Sequence, residues 1–475
     1  MIRHLLLGCL VACSTPSPSP APATPPAPAA PVAAKPTPDP LVAKLDAAAT
    51  AALEKHHAVG LAVAVARGDR MIVAKGYGFA DVAKHTVPTA DTVFRIGSIT
   101  KQFTAIAILQ LVDEGKLALT DDIRTYLPDF RPPGPDRKPR TITIEHLLTH
   151  TSGIFDYTSL PDWLEVGAKP MSRAELVALF ATKPLAFAPG ERWAYSNSNY
   201  YLLGLVIEKL TNRPYADVVR DRVLAPAGLT ASAYCDDALP NHATGYHVGA
   251  GGPEPAKPLD LAHPYAAGSL CSTANDLVRW QRALDTGKLV SPGSLAKMRT
   301  AAKLADGSST GYGYGVMLGE LDGHPRIAHG GGINGFTSML ARYPKDDVTI
   351  VVLANAESSA PDKLEAELAR IVLGLAAPTV KDLALAPTER ARLLGRYEVK
   401  GFGADGLALQ VFEEAGKLRM QATGQPAATL LYQGDGKFAI DVDPSIVIEF
   451  PTSGAHAAKL TIHQSGLHIP ATRVK

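Results

Sequence analysis

The sequence has little of what marks several common classes of protein. Only four of its 475 residues are cysteine, too few for a scaffold held together by disulfides. Lys and Arg (47) nearly balance Asp and Glu (46), for a formal net charge of +1, so no nucleic-acid partner is predicted. No internal run is long and apolar enough to span a bilayer. The chain is nevertheless long enough for two or three domains with a sizeable core.

The N-terminal segment resembles a bacterial lipoprotein signal. Leu10-Val11-Ala12-Cys13 is similar to a lipoprotein processing box, which implies cleavage before Cys13 and attachment of a lipid there. Residues 1–13 are thus predicted to be a lipoprotein signal peptide with a lipidated Cys13; Cys9 is a weaker candidate, and an unlipidated secreted protein is the alternative. Residues 14–40 are rich in Pro, Ala, Ser and Thr, which predicts an extended linker. We expect an exported, membrane-anchored lipoprotein on the periplasmic face or the cell surface.

Ser98 and Lys101 form a Ser-x-x-Lys pair that suits nucleophilic catalysis. A serine needs a base to attack at neutral pH, and a lysine one helical turn away supplies one. Thr92–Gly97 is extended and apolar, Gly97 allows a sharp turn, and the helical periodicity that follows stops at Glu114. Ser98 is therefore predicted at a helix N-terminus, where backbone N–H groups favour developing negative charge.

The helix that follows Ser98 is apolar on nearly all sides, which predicts that it is buried. Burial removes water from Lys101, lowers its pKa and lets the neutral amine act as a base. The same four-residue pattern recurs from Ser294 to Lys297, where we interpret it as an exposed stretch of helix. The pattern alone is weak evidence, since it also fits a surface lysine on an ordinary helix.

Tyr195-Ser196-Asn197 is the only Tyr-x-Asn in the chain. It stands between a Pro-Gly turn and a helix-like run. The phenol of Tyr195 can share or relay the proton that Ser98 gives up, and a tyrosinate would be stabilised by the Lys101 ammonium. Asn197 offers a donor and an acceptor, which suits contact with the lysine and with a substrate carbonyl or amide. The alternative is a half-buried tyrosine whose hydroxyl is already satisfied.

His329-Gly330-Gly331-Gly332 is a third motif, which follows a short apolar stretch. Glycines at a strand edge, here Gly331 and Gly332, let a ligand or another backbone approach closely. The N–H near Gly332, together with that of Ser98, is a candidate oxyanion hole. The alternative is a glycine-rich hairpin with a surface histidine.

Other kinds of catalytic site find little support in the sequence. Ile96 occupies the first glycine position of the Gly-x-Ser-x-Gly elbow, and the nucleotide-binding Gly-x-x-x-x-Gly-Lys-Ser/Thr loop is absent. His146 and His150 share a helical face, but the chain lacks His-Glu-x-x-His. We interpret both histidines as packed or hydrogen-bonded structural residues. Neither a metal nor an organic cofactor is expected.

Together the motifs resemble those of the serine beta-lactamase and penicillin-binding-protein superfamily. The resemblance covers roughly residues 41–375 and is strongest to the branch that holds class C beta-lactamases, D-alanyl-D-alanine carboxypeptidases, D-aminopeptidases and related esterases. Four stretches carry it: Phe94–Lys101, Leu147–Gly153, Ser272–Leu277 and Gly332–Phe336. It implies Ser98 as the acylated nucleophile, Lys101 as its base, Tyr195 as a second proton-transfer group, Asn197 as a substrate and lysine contact, and His329 as the third-motif residue.

One position departs from the pattern of that branch. Its beta-lactamases usually have Lys-Thr-Gly where this chain has His329-Gly330-Gly331. Histidine is only partly charged at neutral pH, and Gly330 has no hydroxyl to bind a substrate carboxylate. We therefore expect a serine peptidase or esterase that acts on an amide or ester of a small molecule or peptide. A true beta-lactamase and a non-catalytic penicillin-binding or sensor lipoprotein are the alternatives.

For residues 41–377 we predict an α+β fold like that of beta-lactamases and transpeptidases. An antiparallel sheet flanked by helices would meet a helical subdomain, with Ser98 in the cleft between them. We interpret Gly311–Gly315 as a strand beside the active site rather than a nucleotide loop, and a strand is also predicted over Gly313–Leu318. Cys235 and Cys271 would form a disulfide in an oxidising compartment or remain two buried thiols.

After residue 377 the pattern changes to short strands separated by Gly, Asp and Pro turns. Seven strands are predicted between residues 397 and 463, within a domain of residues 385–475. The arrangement resembles the small lipocalin-like β-barrel appended to some members of the superfamily. Such a barrel would narrow the cleft, add a binding surface or only stabilise the fold.

Overall fold

The computed structural model describes residues 39–235, 239–377, 379–399, 407–464 and 467–474. Cys13, the predicted site of lipid attachment, and nearly all of the predicted linker lie outside these residues. Among the helices described, none combines the length and the apolar character that a membrane span requires.

Most helices lie in the middle of the chain, between residues 100 and 298. Others lie before residue 56 or after residue 360. They are α1 (Pro40–Lys55), α2 (Thr100–Asp113), α3 (Ile144–Leu148), α4 (Trp163–Val166), α5 (Arg173–Ala181), α6 (Asn197–Thr211), α7 (Tyr215–Val219), α8 (Tyr265–Gly268), α9 (Ala274–Asp285), α10 (Pro292–Met298), α11 (Pro361–Leu373) and α12 (Pro387–Leu393). Short 3-10 turns cover Gly97–Ile99, Ile123–Thr125 and Tyr157–Ser159, and a π turn covers Arg220–Leu224.

The strands divide into those that precede residue 377 and those of the C-terminal region. The first group is β1 (Gly60–Arg67), β2 (Arg70–Gly78), β3 (Phe94–Arg95), β4 (Ala233–Tyr234), β5 (Tyr246–Gly249), β6 (Gly252–Pro255), β7 (Leu270–Ser272), β8 (Met317–Leu321), β9 (His324–Ile333), β10 (Phe336–Tyr343) and β11 (Val348–Ala354). The second group is β12 (Gly395–Val399), β13 (Leu407–Glu414), β14 (Lys417–Ala422), β15 (Ala428–Gly434), β16 (Lys437–Ile440), β17 (Asp443–Glu449), β18 (Lys459–Gln464) and β19 (Leu467–Val474).

The main sheet has six strands in the order β2-β1-β11-β10-β9-β8, and each neighbouring pair is antiparallel. Its central strands are buried on both faces, which is why β1 and β11 are nearly continuous apolar runs. Alternate residues point to opposite sides. Val63 and Val352 pack with α1 and α11, whereas Ala64 and Val351 pack with the helices of the middle region. The predicted α+β fold is therefore confirmed.

The C-terminal strands β12 to β19 form a closed antiparallel barrel, as the sequence predicted. The barrel has one strand more than the seven expected. The additional strand is β19, which contains Pro470, and proline is uncommon inside strands because it cannot donate to the ladder. Register places Val474 of β19 opposite Arg396 of β12, and this pairing closes the barrel.

The barrel lies against β8, the edge strand of the main sheet. Strand β19 contacts β8, and Lys363 of α11 pairs with Asp443 of β17 at 3.0 Å. Covering an edge strand shields its unpaired backbone groups from association with other chains. The neighbour of β8 is β9, which carries His329, so the barrel supports the sheet one strand away from the third motif.

The predicted strand over Gly313–Leu318 is wrong in its first half. The chain turns at Gly315, where φ is +70°, and the strand begins only at Met317. A Cβ atom at Gly315 would lie 2.8 Å from the backbone carbonyl carbon and oxygen of Lys101. The turn therefore packs directly on α2, the helix that carries Lys101. An extended strand over these residues would prevent this close packing.

Cys235 and Cys271 form a disulfide, with an S–S distance of 2.06 Å and Cα atoms 5.0 Å apart. Cys271 lies on β7, which pairs with Arg95 of β3. The bond thus joins the end of β4 to β7 within the small three-stranded sheet that leads into the turn before Ser98.

Candidate active site

The first and third motifs meet backbone to backbone. Gly97 has φ of +50°, a conformation that L side chains rarely adopt, and it begins the 3-10 turn that leads into α2. A Cβ atom at Gly97 would lie 2.9 Å from the amide nitrogen of Gly332, and one at Gly331 would lie 2.1 Å from the oxygen of Ile96. Both positions therefore require glycine, because the two backbones approach too closely for a side chain. This approach holds Ser98 beside β9, the strand that contains the glycines.

Lys101 lies at the centre of the site. Its side chain is fully buried, and Nζ lies 3.0 Å from Ser98 Oγ, 2.8 Å from Asn197 Oδ1 and 2.8 Å from the carbonyl oxygen of Ala267. Burial lowers the pKa of Lys101 to about 7. A substantial fraction of this lysine is therefore neutral at physiological pH, as a general base requires.

The direction of each hydrogen bond follows from the chemistry of the partners. The oxygens of Asn197 and Ala267 can only accept, so the two hydrogens of a neutral Lys101 amine point to them. The remaining lone pair then faces Ser98 Oγ. In this state the serine donates its proton toward the lysine, which is the arrangement that activates a nucleophile.

Tyr195 lies close to both Ser98 and Lys101. Lys101 Nζ lies 4.8 Å from the centre of its ring. Loss of hydration raises the pKa of Tyr195 well above its ordinary value, and a hydrogen bond with Ser98 opposes that rise only in part. Tyr195 is therefore a neutral phenol in the resting site, and the tyrosinate considered from the sequence is not the resting form.

His329 is 2% exposed and makes its hydrogen bonds within the protein. Its Nδ1 lies 2.6 Å from the carbonyl oxygen of Gly330 and must donate, so Nε2 accepts from the hydroxyl of Tyr312 at 2.8 Å. Burial, and next the charge on Lys101, lower the pKa of His329 to about 3. The expectation of a partly charged histidine is wrong, because burial keeps the ring neutral.

A cleft of about 160 Å³ opens at Ser98. Its lining residues are Ser98, Tyr157, Thr158, Trp163, Asn197, Leu259, Pro264, Ala267, Gly268, Gly332, Ile333 and Asn334. None of these carries a formal charge, and none comes from the barrel. The described residues of the barrel therefore take no part in lining this cleft.

A larger cavity of about 780 Å³ lies between α11 and the barrel. Its lining residues include ion-paired side chains such as Lys363 and Arg370, and no serine, threonine or cysteine is among them. Of these two cavities, only the smaller cleft is lined by Ser98, the candidate nucleophile.

The segment that holds this geometry matches a known family. Residues 45–374, well over half of the chain, match the family model for beta-lactamases, and they include all three motifs. The chain belongs to the beta-lactamase family.

Individual relatives extend the match. The chain is 27% identical over 448 residues to penicillin-binding protein 4* of Bacillus subtilis, with 89% of this chain and 96% of the relative covered. It is 29% identical over 324 residues to a D-aminopeptidase of Brucella canis, covering 67% of this chain and 60% of that protein's length. A solved structure of a D-stereospecific amidohydrolase from Streptomyces sp. is similar at a TM-score of 0.61 and 31% identity, covering 71% of this chain and 100% of that one. This member of the beta-lactamase family is a serine hydrolase.

Several residues of this beta-lactamase-family site were not assigned a part in it from the sequence. The carbonyl of Ala267 binds Lys101, and a backbone atom leaves no signal in the residue type. Tyr312 lies in the stretch Gly311–Gly315, which is predicted from the sequence to be a strand but precedes the strand that begins at Met317. Asp156 accepts hydrogen bonds from Asn197; it lies three residues after the Leu147–Gly153 stretch and could have been found there.

The two histidines interpreted as structural are hydrogen bonded. His146 Nδ1 accepts from the N–H of Thr143 in a capping box. His150 is fully buried, and its Nδ1 accepts from the N–H of Ser196 at 3.2 Å, which fixes the turn between Tyr195 and Asn197. In the described part of the chain, no group of three His, Cys, Asp or Glu side chains is placed to hold a metal ion.

Proposed function

We propose that this protein is a serine peptidase or esterase that cleaves an amide or ester through an acyl-enzyme on Ser98. The observation that carries the proposal is the 3.0 Å contact between Ser98 Oγ and Lys101 Nζ. The lysine is buried, its pKa is lowered to about 7, and its two other contacts are acceptors. These are the properties of a base rather than of a structural cation.

Acylation transfers one proton and exchanges one bond. Lys101 takes the Ser98 proton as the serine oxygen attacks the substrate carbonyl, and the N–H groups of Ser98 and Gly332 hold the resulting oxyanion. When the tetrahedral intermediate collapses, Tyr195 passes a proton to the leaving amine or alkoxide and is reprotonated from Lys101. The leaving group departs and the acyl group stays on Ser98.

Deacylation repeats the sequence with water in place of the serine. Lys101, neutral again after acylation, removes a proton from a water molecule that attacks the acyl carbonyl, and the proton returns to Ser98 as the ester bond breaks. Asn197 stays bonded to the lysine at 2.8 Å, and the second lone pair of its Oδ1 can accept from a substrate N–H.

The chemistry of the cleft supports substrates whose binding does not require a positively charged residue of the protein to hold a substrate carboxylate. Its lining residues are uncharged, His329 is neutral, and Gly330 lacks a hydroxyl. The named activities of the relatives, a D-aminopeptidase and a D-stereospecific amidohydrolase, support amides or short peptides of D-amino acids. Esters of the same acids are chemically easier and should also be cleaved.

The decisive experiment compares Ser98→Ala with Ser294→Ala, which alters the serine of the second Ser-x-x-Lys sequence. Turnover of a D-amino acid p-nitroanilide and of a p-nitrophenyl ester should fall roughly 10⁴-fold or more in Ser98→Ala and stay unchanged in Ser294→Ala. A fluorophosphonate should label the wild type and Ser294→Ala only. Full activity or labelling in Ser98→Ala would disprove the proposal.

Penicillin binding is the second candidate, because the relative from Bacillus subtilis carries that name. A fluorescent penicillin tests for acylation of Ser98, and nitrocefin tests for turnover. Labelling without turnover would identify a penicillin-binding peptidase. Nitrocefin turnover faster than that of every amide and ester would identify a true beta-lactamase, and no labelling by any probe would identify a non-catalytic sensor.

We also propose that the protein is exported and anchored by a lipid on Cys13. The support is the processing box in the sequence and the disulfide between Cys235 and Cys271, since disulfides persist in oxidising compartments. Cys13→Ala should abolish incorporation of radiolabelled palmitate and release the protein from membranes. Cys9→Ala is the matched control and should keep both, and palmitate retained in Cys13→Ala would refute the assignment.

A further inference from the structure

Asp156 lies directly behind Asn197, on the side away from Lys101. It precedes the 3-10 turn Tyr157–Ser159 and accepts four hydrogen bonds. Two come from Thr158, through N at 3.2 Å and Oγ1 at 2.8 Å. Two come from Asn197, through N at 3.1 Å and Nδ2 at 3.3 Å. All four partners donate, which is the pattern of an ionised carboxylate.

These bonds decide which way the Asn197 amide points. Its Nδ2 donates to Asp156 Oδ2 and to Thr158 Oγ1, the latter at 3.0 Å. The opposite end, Oδ1, therefore faces Lys101 Nζ at 2.8 Å. The reversed amide would place its carbonyl against the carboxylate and its N–H groups against those of the lysine, and both contacts would be repulsive.

The orientation of Asn197 in turn decides what Lys101 offers to Ser98. While Asn197 Oδ1 and the Ala267 oxygen accept the two amine hydrogens, the lone pair faces the serine. With the amide reversed, one hydrogen would lose its acceptor and compete for Ser98 Oγ. We propose that Asp156 is a positioning residue that locks Asn197 and so keeps the basic lone pair of Lys101 on Ser98. This inference rests on the proposed function.

Asp156 also acts on Lys101 through its charge. The titratable side chains around the lysine are His150, Asp156, Tyr195, Tyr200 and His329. Burial lowers the pKa of both histidines and raises the pKa of both tyrosines, so these four are neutral. Asp156 is the acid whose charge raises the pKa of Lys101, against the larger lowering by burial.

The main test is the pH profile of Asp156→Asn. The substitution replaces one of the two carboxylate oxygens that accept from Asn197 with an NH₂ group, which donates. The Asn197 amide then loses its fixed orientation, so kcat/KM on a D-amino acid p-nitroanilide should fall about 100-fold. Loss of the charge lowers the pKa of Lys101, and since the base must be neutral, the acid limb should move from about pH 7 to lower pH. A purely structural role would leave that limb in place.

Two further variants separate orientation from charge. Thr158→Val keeps the carboxylate but removes a hydroxyl that bridges it to Asn197, so kcat/KM should fall without a shift of the acid limb. The double variant Asp156→Asn with Asn197→Asp exchanges the two side chains. It again places an amide donor at one position against a carboxylate acceptor at the other, and it puts the negative charge next to Lys101. It should recover activity relative to Asp156→Asn alone and move the acid limb to higher pH.

Asp122→Asn is the matched control. Asp122 likewise precedes a 3-10 turn and accepts from the N–H two residues later, that of Arg124, but it lies in a different part of the fold from the cleft. It should lose some stability and keep the wild-type pH profile. Wild type that is unlabelled at Ser98 by fluorophosphonate would refute the proposed function itself. Wild type that is labelled, together with a folded Asp156→Asn that keeps its rate and acid limb, would refute only the role of Asp156.

Discussion

Ser98 and Lys101 stand near the start of α2, and Ser294 and Lys297 lie in the short helix α10, with the same spacing. The first lysine is fully buried and bonds Ser98. The second is exposed, and its serine donates instead to Asp113 Oδ1 at 2.6 Å. The spacing brings a serine and a lysine to one face of a helix, but only burial and the correct acceptors make that lysine a base.

The second copy also corrects one expectation. The helix is present as predicted, but Ser294 is buried at 5% exposure rather than exposed. The physical reason is its bond to Asp113 at the end of α2, which attaches α10 to the catalytic helix. One copy thus serves chemistry and the other serves the packing of the same helix at its far end.

The largest expected effect comes from removing each lysine in turn. Lys101→Met, which keeps an apolar side chain of similar length in the buried position, should lower kcat/KM by about 10³-fold, the usual contribution of a general base. Lys297→Met should leave kcat/KM unchanged. Steady-state hydrolysis of a p-nitrophenyl ester measures both, and equal losses in the two variants would end the distinction between the copies.

The pH dependence of stability gives a second, smaller difference. Lys101 has a pKa of about 7 in the folded protein against its ordinary 10.5, so between these values the unfolded chain holds a proton that the folded one lacks. Stability contributed by this group should therefore rise with pH above about 7. The free energy of unfolding of wild type relative to Lys101→Met, measured in urea from pH 7 to pH 9, should increase.

Lys297→Met supplies the control for this measurement, because its lysine is exposed in the folded protein. Its free energy of unfolding should run parallel to that of the wild type over the same range of pH. A difference between wild type and Lys101→Met that stays flat would show that the buried lysine keeps its proton.

How much of this could be predicted from the sequence depends on the kind of feature. Gly97, the apolar helix α2 and the alternating strands of the barrel are local patterns, and they predicted the turn, the buried lysine and the fold. The strand β19 was missed because Pro470 contradicts strand propensity. There the closure of the barrel, a long-range pairing, outweighs the local preference.

In the site, the missing information was long-range. The oxygen of Ala267 lies 166 residues from Lys101 in sequence and carries no side-chain signal. The protonation of His329 depends on its burial and on Lys101, which a motif does not encode. Asp156 lies three residues after the Leu147–Gly153 stretch, but only the four hydrogen bonds around it give it a part in the site.

The smallest expected effect concerns the second serine alone. Ser294→Ala removes the hydroxyl that donates to Asp113 at 2.6 Å, while Ser291 still donates to the same carboxylate through N and Oγ. Loss of one such bond should lower the free energy of unfolding by about 1–2 kcal/mol. Urea unfolding followed by circular dichroism measures it. Activity should stay at the wild-type level, because α2 keeps its burial and Lys101 keeps its three contacts; a lower kcat/KM would mean that the packing of α10 reaches the base.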